Sequence, residues 1–399
     1  MSNTANSSLR QIPAGVWVLG VVSLLMDVSS EMIHSLLPLF MIGPLGAGAL
    51  SVGLVEGLAE STSLIVKVFS GALSDFVGRR KGLTVAGYGL GAASKPLFAM
   101  AGSIGTVMTA RLIDRVGKGV RGAPRDAIIA DITPAPIRGA AFGLRQSLDT
   151  VGAFVGPLLG VTLMLAWAND FRRVFWVAMA PAALAVVLLL VGVREPDHRV
   201  ATNRANPITR ANLVRLGRPY WMVVVIGAAL ALARFSEAFL VLRAGQAVTT
   251  ALVPLVMVVM NIVYSASAYP FGRLSDRVSH RALLVAGVGV LGLADVVLAW
   301  STAWPVVLLG VSLWGLHLGL TQGLLAAMIA HTAPADLRGT AYGVFNLVSG
   351  VALLAASVAA GVLWDLVGPA ATFTAGAALC LATLVLLRAA PSGTRLAAR

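Results

Sequence analysis

A ten-residue stretch occurs twice in this chain, as GALSDFVGRR at 71–80 and as GRLSDRVSHR at 272–281. A second stretch repeats at nearly the same distance, as PAPIRGAAFG at 134–143 and as PADLRGTAYG at 334–343. Both pairs lie about 200 residues apart, half the length of the 399-residue chain. Self-similarity at half the chain length predicts two structural repeats with the same topology.

The composition is far more apolar than that of a water-soluble domain. Hydrophobic residues make up 58% of the chain and charged residues 12%, and the mean hydropathy is +0.86. These values exclude an ordinary soluble or disordered protein and predict a lipid environment. The single cysteine, Cys380, excludes an internal disulfide framework and a metal centre built from cysteines.

Apolar runs of about 20 residues, the length of a membrane-spanning helix, lie in equal numbers on either side of a long polar stretch. Numbered as spans 1–12, they fall near residues 14–42, 48–72, 82–102, 104–123, 140–167, 172–193, 219–242, 249–271, 282–300, 304–331, 340–364 and 369–388. The sequence therefore predicts an all-α membrane protein of twelve transmembrane helices. They form two pseudo-symmetric six-helix bundles, 1–193 and 219–399, joined by a cytoplasmic linker at 194–218.

The basic residues indicate how the chain lies in the membrane. With the N-terminus inside, 20 of the 30 basic residues fall on the cytoplasmic side and three on the opposite side. The positive-inside rule predicts that both termini are cytoplasmic, and the net charge of +13 then needs no nucleic-acid partner. Arginine far outnumbers lysine, and alanine and glycine abound, which associates the chain with a GC-rich bacterium and its inner membrane.

The stretch at 71–80 resembles the loop motif G-x-L-a-D-x-x-G-R-R/K of the major facilitator superfamily. It matches at Gly71, Asp75, Gly78, Arg79 and Arg80, and the second copy keeps Asp276 and Arg281. The resemblance implies that family's two-bundle fold, transport by alternating access, and a gating role for this loop. The residue types agree, since small glycines permit close packing and Asp75 can accept hydrogen bonds at a neighbouring helix N-terminus. The alternative is a merely basic loop.

Span 5 resembles the family's antiporter motif, G-x8-G-x3-G-P-x2-G-G. The matching residues are Gly143, Gly152, Gly156, Pro157 and Gly160, and Val161 replaces the last glycine. The resemblance implies export in exchange for a proton or another ion. Two alternatives stay open: that these glycines serve only helix packing, and that the chain is a proton-coupled uptake symporter.

Ionisable groups inside a membrane are costly and mark candidate transport pathways. In span 1, Asp27, Glu31 and His34 are spaced i, i+4 and i+7, which places them on one helical face. The family resemblance implies that this helix lines the central cavity. A carboxylate there can take a proton from one side and release it to the other, so Asp27 or Glu31 is the expected proton carrier. The alternative is that both form fixed ion pairs with basic residues on other helices.

Span 4 is the most polar of the twelve, with Arg111, Asp114, Arg115 and Lys118 spaced i, i+3, i+4 and i+7. Arg115-x-x-Lys118-Gly119 resembles the family's fourth-helix motif R-x-x-Q-G-x-G, which is associated with proton transfer. Lys118 replaces the glutamine and Arg121 the final glycine, so either Arg111 or Arg115 is the expected functional arginine. If these cations are unpaired, the cavity favours anionic substrates; otherwise they hold the bundle together.

Other polar residues in spans complete the predicted cavity. They are Glu60 in span 2, Asp149 in span 5, Arg234 and Glu237 in span 7, and Gln322 in span 10. Arg145 and Asp149 are spaced i, i+4 and are expected to form a local ion pair. Because most of the buried charge falls in the N-terminal half, we expect ion coupling there and shape recognition in the C-terminal half.

Sequence patterns typical of other functions are lacking. GVGVLG at 287–292 has the letters of a dinucleotide fingerprint but lies inside an apolar span, and no phosphate-binding G-x-x-x-x-G-K-[ST] sequence occurs. No cofactor or metal is expected, and His34, His317, Met257 and Met260 are not expected to bind one. An intramembrane enzyme is disfavoured because no nucleophile or metal set is recognisable, and a non-transporting sensor is a further rival. The expected partners are a small molecule, protons and the lipid bilayer, with a functional monomer.

Overall fold

The computed structural model describes residues 11–77, 80–195, 210–275, 277–334 and 337–389, with backbone only for 71–77, 210–212 and 389. Within these residues the chain forms helices and no strand. The α-helices are Ala14–His34, Leu37–Ile42, Ala49–Val77, Arg80–Met100, Ile104–Ile132, Arg138–Ala166, Phe171–Gly192, Arg210–Arg215, Arg218–Ala233, Ala238–Gly245, Leu255–Leu274, His280–Trp300, Trp304–Thr332, Arg338–Leu366 and Pro369–Ala389. Short 3-10 turns form at Ala135–Ile137 and Thr250–Leu252.

Ten of the predicted spans are confirmed as helical segments long and apolar enough to cross a membrane, counted over the described residues. Spans 3 and 4 are also long helices, Arg80–Met100 and Ile104–Ile132, but they fall outside that count. Span 4 is excluded from the count because four charged residues lie within two turns at its centre. The membrane protein of many helices is therefore confirmed, and the exact number of twelve stays a prediction.

Three predicted spans differ in detail from the helices observed. Span 1 is divided into Ala14–His34 and Leu37–Ile42, with Pro38 in the first turn of the second piece, where a proline needs no amide donor. Span 7 is divided into Arg218–Ala233 and Ala238–Gly245. Span 4 continues to Ile132, nine residues beyond its predicted end at 123, because its apolar residues resume after a polar turn.

The chain forms two compact units, residues 1–37 with 62–204 and residues 38–61 with 205–399. The first unit has a core of apolar side chains from spans 1, 3, 4, 5 and 6, including Leu19, Met26, Tyr88, Ile129 and Leu189. Side-chain caps fix two helix starts within it. Ser103 Oγ accepts from the Thr106 amide at 3.3 Å, and an Asp170 carboxylate oxygen accepts from the Arg173 amide at 3.1 Å.

In the second unit, the first part of span 2 packs closely on span 11. A Cβ placed on Gly53 would overlap the Ser357 carbonyl, and one on Gly361 would lie 2.6 Å from Leu50 Cα, so glycine is required at both positions. The Asp365 carboxylate accepts hydrogen bonds from the amides of Ala49 and Leu50, each at 2.8 Å. These amides open the helix of span 2, so span 11 supplies the cap that they need.

The division into two units does not run through the linker alone, because residues 38–61 pack with the C-terminal half. The residues 196–209, most of the predicted linker, lie outside the described part of the chain. The domain boundaries at 193 and 219 therefore stay a prediction.

Candidate functional site

The face of span 1 that was predicted to carry the transported proton is partly exposed in the first unit. Asp27, Glu31 and His34 are all of intermediate burial. His34 Nδ1 lies 3.5 Å from Glu31 Oε2, so these two side chains form a local pair. Asp27 makes no hydrogen bond and no ion pair with any described residue of the chain. The charged groups nearest to Asp27 are Asp149, Lys118, Arg121 and Glu31.

The glycines of the span 5 motif lie directly against this acidic face. A Cβ on Gly152 would lie 2.9 Å from the Asp27 Cβ and 2.7 Å from the Leu24 carbonyl oxygen. One on Gly156 would lie 2.8 Å from the Glu31 Cβ. Real side chains do not approach so closely, so span 5 can pack at this depth only because it has glycine there. The motif therefore sets the distance between spans 5 and 1 at the two carboxylates.

The cations of span 4 do not all face open space. Arg111, Asp114 and Arg115 are buried, and the Asp114 carboxylate lies 3.8 Å from Arg111 and 3.9 Å from Arg115. Its closest partner is Lys95 of span 3, whose Nζ donates to Asp114 Oδ1 at 2.9 Å and to Ser30 Oγ at 3.0 Å. The bond between Lys95 and Asp114 joins spans 3 and 4, and the two arginines beside the same carboxylate fit the structural alternative.

Sequence reasoning missed Lys95. It lies in an otherwise apolar helix, with no acidic residue three or four positions away to suggest a partner. The signal was present in span 4, where Asp114 stood among three cations, but the pairing joins positions 19 residues apart on neighbouring helices.

Lys118 differs from its neighbours, because its side chain is exposed and makes no ion pair with any described residue. It lies near Asp27 and Glu31, and also near Lys67 of span 2, which is exposed as well. The helices that carry the two lysines touch at Gly119, where a Cβ would lie 2.7 Å from the Val66 side chain. Lys118 is therefore the span 4 cation that can respond to the charge on span 1.

The second half of span 4 carries two further arginines, Arg121 and Arg125, towards the end that is predicted to be cytoplasmic. Both are within the helix Ile104–Ile132, and Arg121 is buried with its guanidinium 4.6 Å from the centre of the Tyr88 ring. Arg125 donates to Ser23 Oγ at 2.9 Å. The predicted local pair in span 5 is also present, with Arg145 Nη1 2.6 Å from Asp149 Oδ2.

The predicted polar residues of the second unit lie near the break in span 7. The charged groups nearest to Arg234 are Glu237, beyond the break, and Glu60 of span 2. Gln322 is exposed and accepts a hydrogen bond from Tyr264 Oη at 2.7 Å. These last two side chains line a cavity of about 240 Å³.

His317 is buried in the same unit and faces span 9. Its Nδ1 lies 2.9 Å from the Gly287 carbonyl oxygen, and Thr321 Oγ1 lies 3.5 Å from its Nε2. These contacts give this imidazole a place in the packing between spans 9 and 10.

The model of the Major Facilitator Superfamily matches residues 19–245 and 240–398, and so both halves of the chain. The chain belongs to this superfamily. The predicted family is therefore confirmed. Membership of this family identifies the chain as a membrane transporter. A protein of this superfamily carries a small molecule across the lipid bilayer.

Relatives of known sequence and structure agree with this assignment. An uncharacterised transporter of the superfamily type from Methanocaldococcus jannaschii is 33% identical over 391 residues, with 96% of each chain covered. The multidrug resistance protein MdtH of Edwardsiella ictaluri is 29% identical over 208 residues, 51% of this chain and 49% of MdtH. The crystal structure of the nucleoside transporter NupG matches with a TM-score of 0.77 at 13% identity, covering 94% and 98% of the two chains, and so shares the fold.

The superfamily loop motif is described only in part. Gly71 and Asp75 lie in the helix Ala49–Val77, but their side chains fall outside the described residues, as do Gly78, Arg79 and Asp276 altogether. Arg80 is buried and forms an ion pair with Asp131 at the end of span 4. Arg281 donates to the Arg388 carbonyl at 2.9 Å, joining spans 9 and 12. The gating role of this loop stays a prediction.

Proposed function

We propose that this chain is a proton-coupled exporter of a small organic molecule that works by alternating access, with Asp27, beside Glu31 on span 1, as its proton-carrying group. Asp27 carries the proposal, because it is partly exposed and has no ionic or hydrogen-bonding partner among the described residues. It can therefore gain and lose a proton without breaking a salt bridge. Most ionised carboxylates inside a membrane protein are paired, which makes an unpaired one a functional candidate.

Exchange of substrate for protons follows if both compete for the same ionised carboxylate. A cationic or polar substrate that binds ionised Asp27 displaces the proton, and a proton arriving from the other side displaces the substrate. Glu31 contributes differently, because His34 already lies 3.5 Å from its carboxylate. We expect Asp27 to be the exchanging group and Glu31 to tune the charge beside it.

The direction of transport is inferred from span 5 and from one relative. The antiporter glycines Gly152 and Gly156 pack on the same two turns of span 1 that carry Asp27 and Glu31. A helix that rests on the proton-carrying face would sense whether those groups are occupied. MdtH, which matches about half of this chain, is a multidrug resistance protein. Both observations support export.

The test is flux across right-side-out and inverted membrane vesicles with an imposed pH gradient, over a panel of cationic, neutral and anionic compounds. We expect uptake into inverted vesicles that are acidic inside, which corresponds to export from the cell. Asp27→Asn should abolish accumulation against a gradient while leaving exchange of substrate across the membrane. Asp170→Asn is the matched control, because asparagine also caps a helix and Asp170 lies far along the chain from the acidic face. Accumulation by Asp27→Asn at the wild-type level would refute the proposal.

Uptake by symport is the second candidate, and exposed Lys118 is the observation that favours it. Lys118 lies near Asp27 and Glu31, which attract it while they are ionised. A proton on either carboxylate would leave the ammonium group available to an anion, so the proton and the anion would bind together. The same vesicles decide between the two, since symport would concentrate anionic compounds in right-side-out vesicles with acid outside.

We extend the proposal to the loop motif as a cytoplasmic latch. Asp75 bonded to a neighbouring helix N-terminus, with the basic cluster beside it, would favour the conformation closed towards the cytoplasm. Asp75→Ala should then shift the population towards the inward-facing state and slow turnover, with little change in substrate affinity. Cysteine probes placed on the cytoplasmic side measure the shift, and unchanged accessibility would refute the latch. We further propose a functional monomer in the bacterial inner membrane, with both termini cytoplasmic.

A further inference from the structure

Asp295, in span 9, is a buried carboxyl group that the proposed transport cycle does not use. Its side chain is 0% exposed, and neither carboxyl oxygen has a hydrogen-bonding partner in the described part of the chain. Since a carboxylate in the middle of a protein is almost always paired, this arrangement needs a physical explanation.

The group is enclosed by side chains and backbone from three other spans. A Cβ on Gly376 of span 12 would lie 2.5 Å from Asp295 Oδ2 and 3.0 Å from the Phe235 ring, so the glycine makes room for both. Phe235 belongs to the break in span 7, and its ring centre lies 5.4 Å from that of Trp314 in span 10. Trp314 is itself 0% exposed, and its indole Nε1 also lacks a partner among described residues.

No cation in the described part of the chain forms an ion pair with Asp295. Three titratable groups on the surrounding elements are Cys380 on span 12, His317 on span 10 and Arg243 on the second piece of span 7. Arg234 and Glu237 flank Phe235 at the break, and neither bonds to the Asp295 carboxyl group. Cys380 is buried nearby as a thiol. His317 is engaged with the Gly287 carbonyl, and Arg243 donates to backbone carbonyls at the end of span 9, at 3.1 and 3.0 Å. None of the three bonds to the Asp295 carboxyl group.

An ionised carboxylate enclosed in this way, without a hydrogen-bonding partner among the described residues, would cost several kcal/mol or more. The proton is the one ligand that removes this cost without needing a cavity. We propose that Asp295 is a proton-binding site of the second unit. Asp295 is protonated in this conformation, and Phe235, at the break in span 7, shields it from water. The site goes beyond the proposed function and does not depend on it. Asp27, the proton-carrying group proposed above, lies in the other unit and is partly exposed.

The break in span 7 supplies a way to open the site. Phe235 lies between the two helical pieces, so its ring position depends on a short non-helical segment. That segment is attached to span 11 by the Ser236 amide, which donates to Ser357 Oγ at 3.1 Å. A movement of the break that withdraws Phe235 would let water reach Asp295, which would then release its proton.

Infrared spectroscopy of the purified full-length protein in lipid bilayers tests the site without a substrate. The wild type should show a protonated carboxyl band that persists from mildly acidic to mildly alkaline pH. Asp295→Asn should remove this band, whereas Asp27→Asn, the matched control, should leave it. Absence of the band from the wild type, or its survival in Asp295→Asn, would overturn the proposal, whatever the vesicle experiments show.

Phe235→Ala tests the closure. With the ring removed, the band should disappear at a pH lower by about one unit or more, because water can then stabilise the ionised form. An unchanged titration would overturn the role of Phe235 as the cover. If Asp295→Asn fails to express, the pH dependence of the wild-type unfolding midpoint shows whether Asp295 is protonated in the folded state. A proton held in the folded state and released on unfolding makes the protein less stable as pH rises, and a midpoint that does not fall would contradict the site.

Discussion

The same pair of helix positions is built in opposite ways in the two halves of this transporter. In the first unit, Lys95 of span 3 and Asp114 of span 4 form a buried ion pair at 2.9 Å. The positions 200 residues later are Asp295 and Trp314, on spans 9 and 10. Neither side chain has a hydrogen-bonding partner among the described residues. The first unit balances charge against charge, whereas the second unit has an acid that we propose is neutralised by a proton.

This difference indicates which charged groups can change their ionisation state. A buried ion pair fixes both ionisation states, because removing either charge leaves the other unpaired. We therefore propose that the buried charges of spans 3 and 4 form a rigid frame beside partly exposed Asp27 and exposed Lys118. The two halves have the same family fold, but equivalent positions in them carry different charges.

The largest expected effect breaks the frame of the first unit. Asp114→Asn leaves Lys95 and two arginines without their shared carboxylate, and we expect a loss of about 3–5 kcal/mol in stability. Asp295→Asn, at the equivalent place in the second unit, should change stability by less than about 1 kcal/mol at neutral pH, since it replaces a neutral group by a neutral amide. Thermal unfolding in detergent measures both. Equal losses in the two variants would contradict the difference between the halves.

A second variant tests which member of the same ion pair is the centre of the network. Lys95→Met removes the ammonium group but leaves Asp114 with Arg111 and Arg115 within 4 Å. We expect a loss of about 1–3 kcal/mol, smaller than that of Asp114→Asn, because the remaining charges are still compensated. The comparison of the two unfolding midpoints checks this. If Lys95→Met were the more damaging change, Asp114 would not be the centre of the network.

A smaller effect is expected where spans 5 and 1 meet. The second half has Ala356 at the position of Gly156, whereas a Cβ on Gly156 would lie 2.8 Å from the Glu31 Cβ. Gly156→Ala should cost about 1–3 kcal/mol by overpacking against Glu31 and should reduce accumulation in vesicles. Gly143→Ala is the control, because a Cβ there meets nothing within 4 Å. A normal Gly156→Ala protein would show that the motif does not set this distance.

The smallest expected effect concerns the second bond of Lys95. Ser30→Ala removes the hydroxyl group 3.0 Å from Nζ and should cost about 1 kcal/mol, since the bond to Asp114 remains. Unfolding midpoints of this variant and of Ser147→Ala, which changes an exposed hydroxyl bonded within its own helix, give the comparison. A loss from Ser30→Ala no larger than that of the control would remove Ser30 from the frame.

The sequence predicted what depends on local pattern. Apolar runs, repeated loop motifs and basic loops indicated a membrane transporter of the superfamily, and the i, i+4 spacing indicated the pair of Arg145 and Asp149. What it could not predict are contacts between helices. Lys95 meets Ser30 across 65 residues of chain, so no spacing within span 3 revealed it. The choice between a substrate-binding and a structural role for Arg111 and Arg115 stayed open for the same reason, because the sequence does not identify the neighbours against which they are buried.

The break in span 7 was missed on other grounds. Residues 234–237 contain neither proline nor glycine, the usual marks of a helix end, and Ser236 is held by a side chain of span 11. The acidic face of span 1 was easier to predict, since all three of its residues lie on one helix. That Asp27 alone of the three lacks a partner in the described part of the chain is visible only in the structure.

Proton release on substrate binding is the measurement that tests exchange at Asp27. The purified protein is mixed, in weakly buffered solution with a pH indicator, with a compound that the vesicle panel shows to be transported. We expect that the wild type releases a proton when the compound binds, that Asp170→Asn does the same, and that Asp27→Asn binds the compound without releasing one. Equal release from Asp27→Asn, or proton uptake by the wild type, would contradict exchange at Asp27.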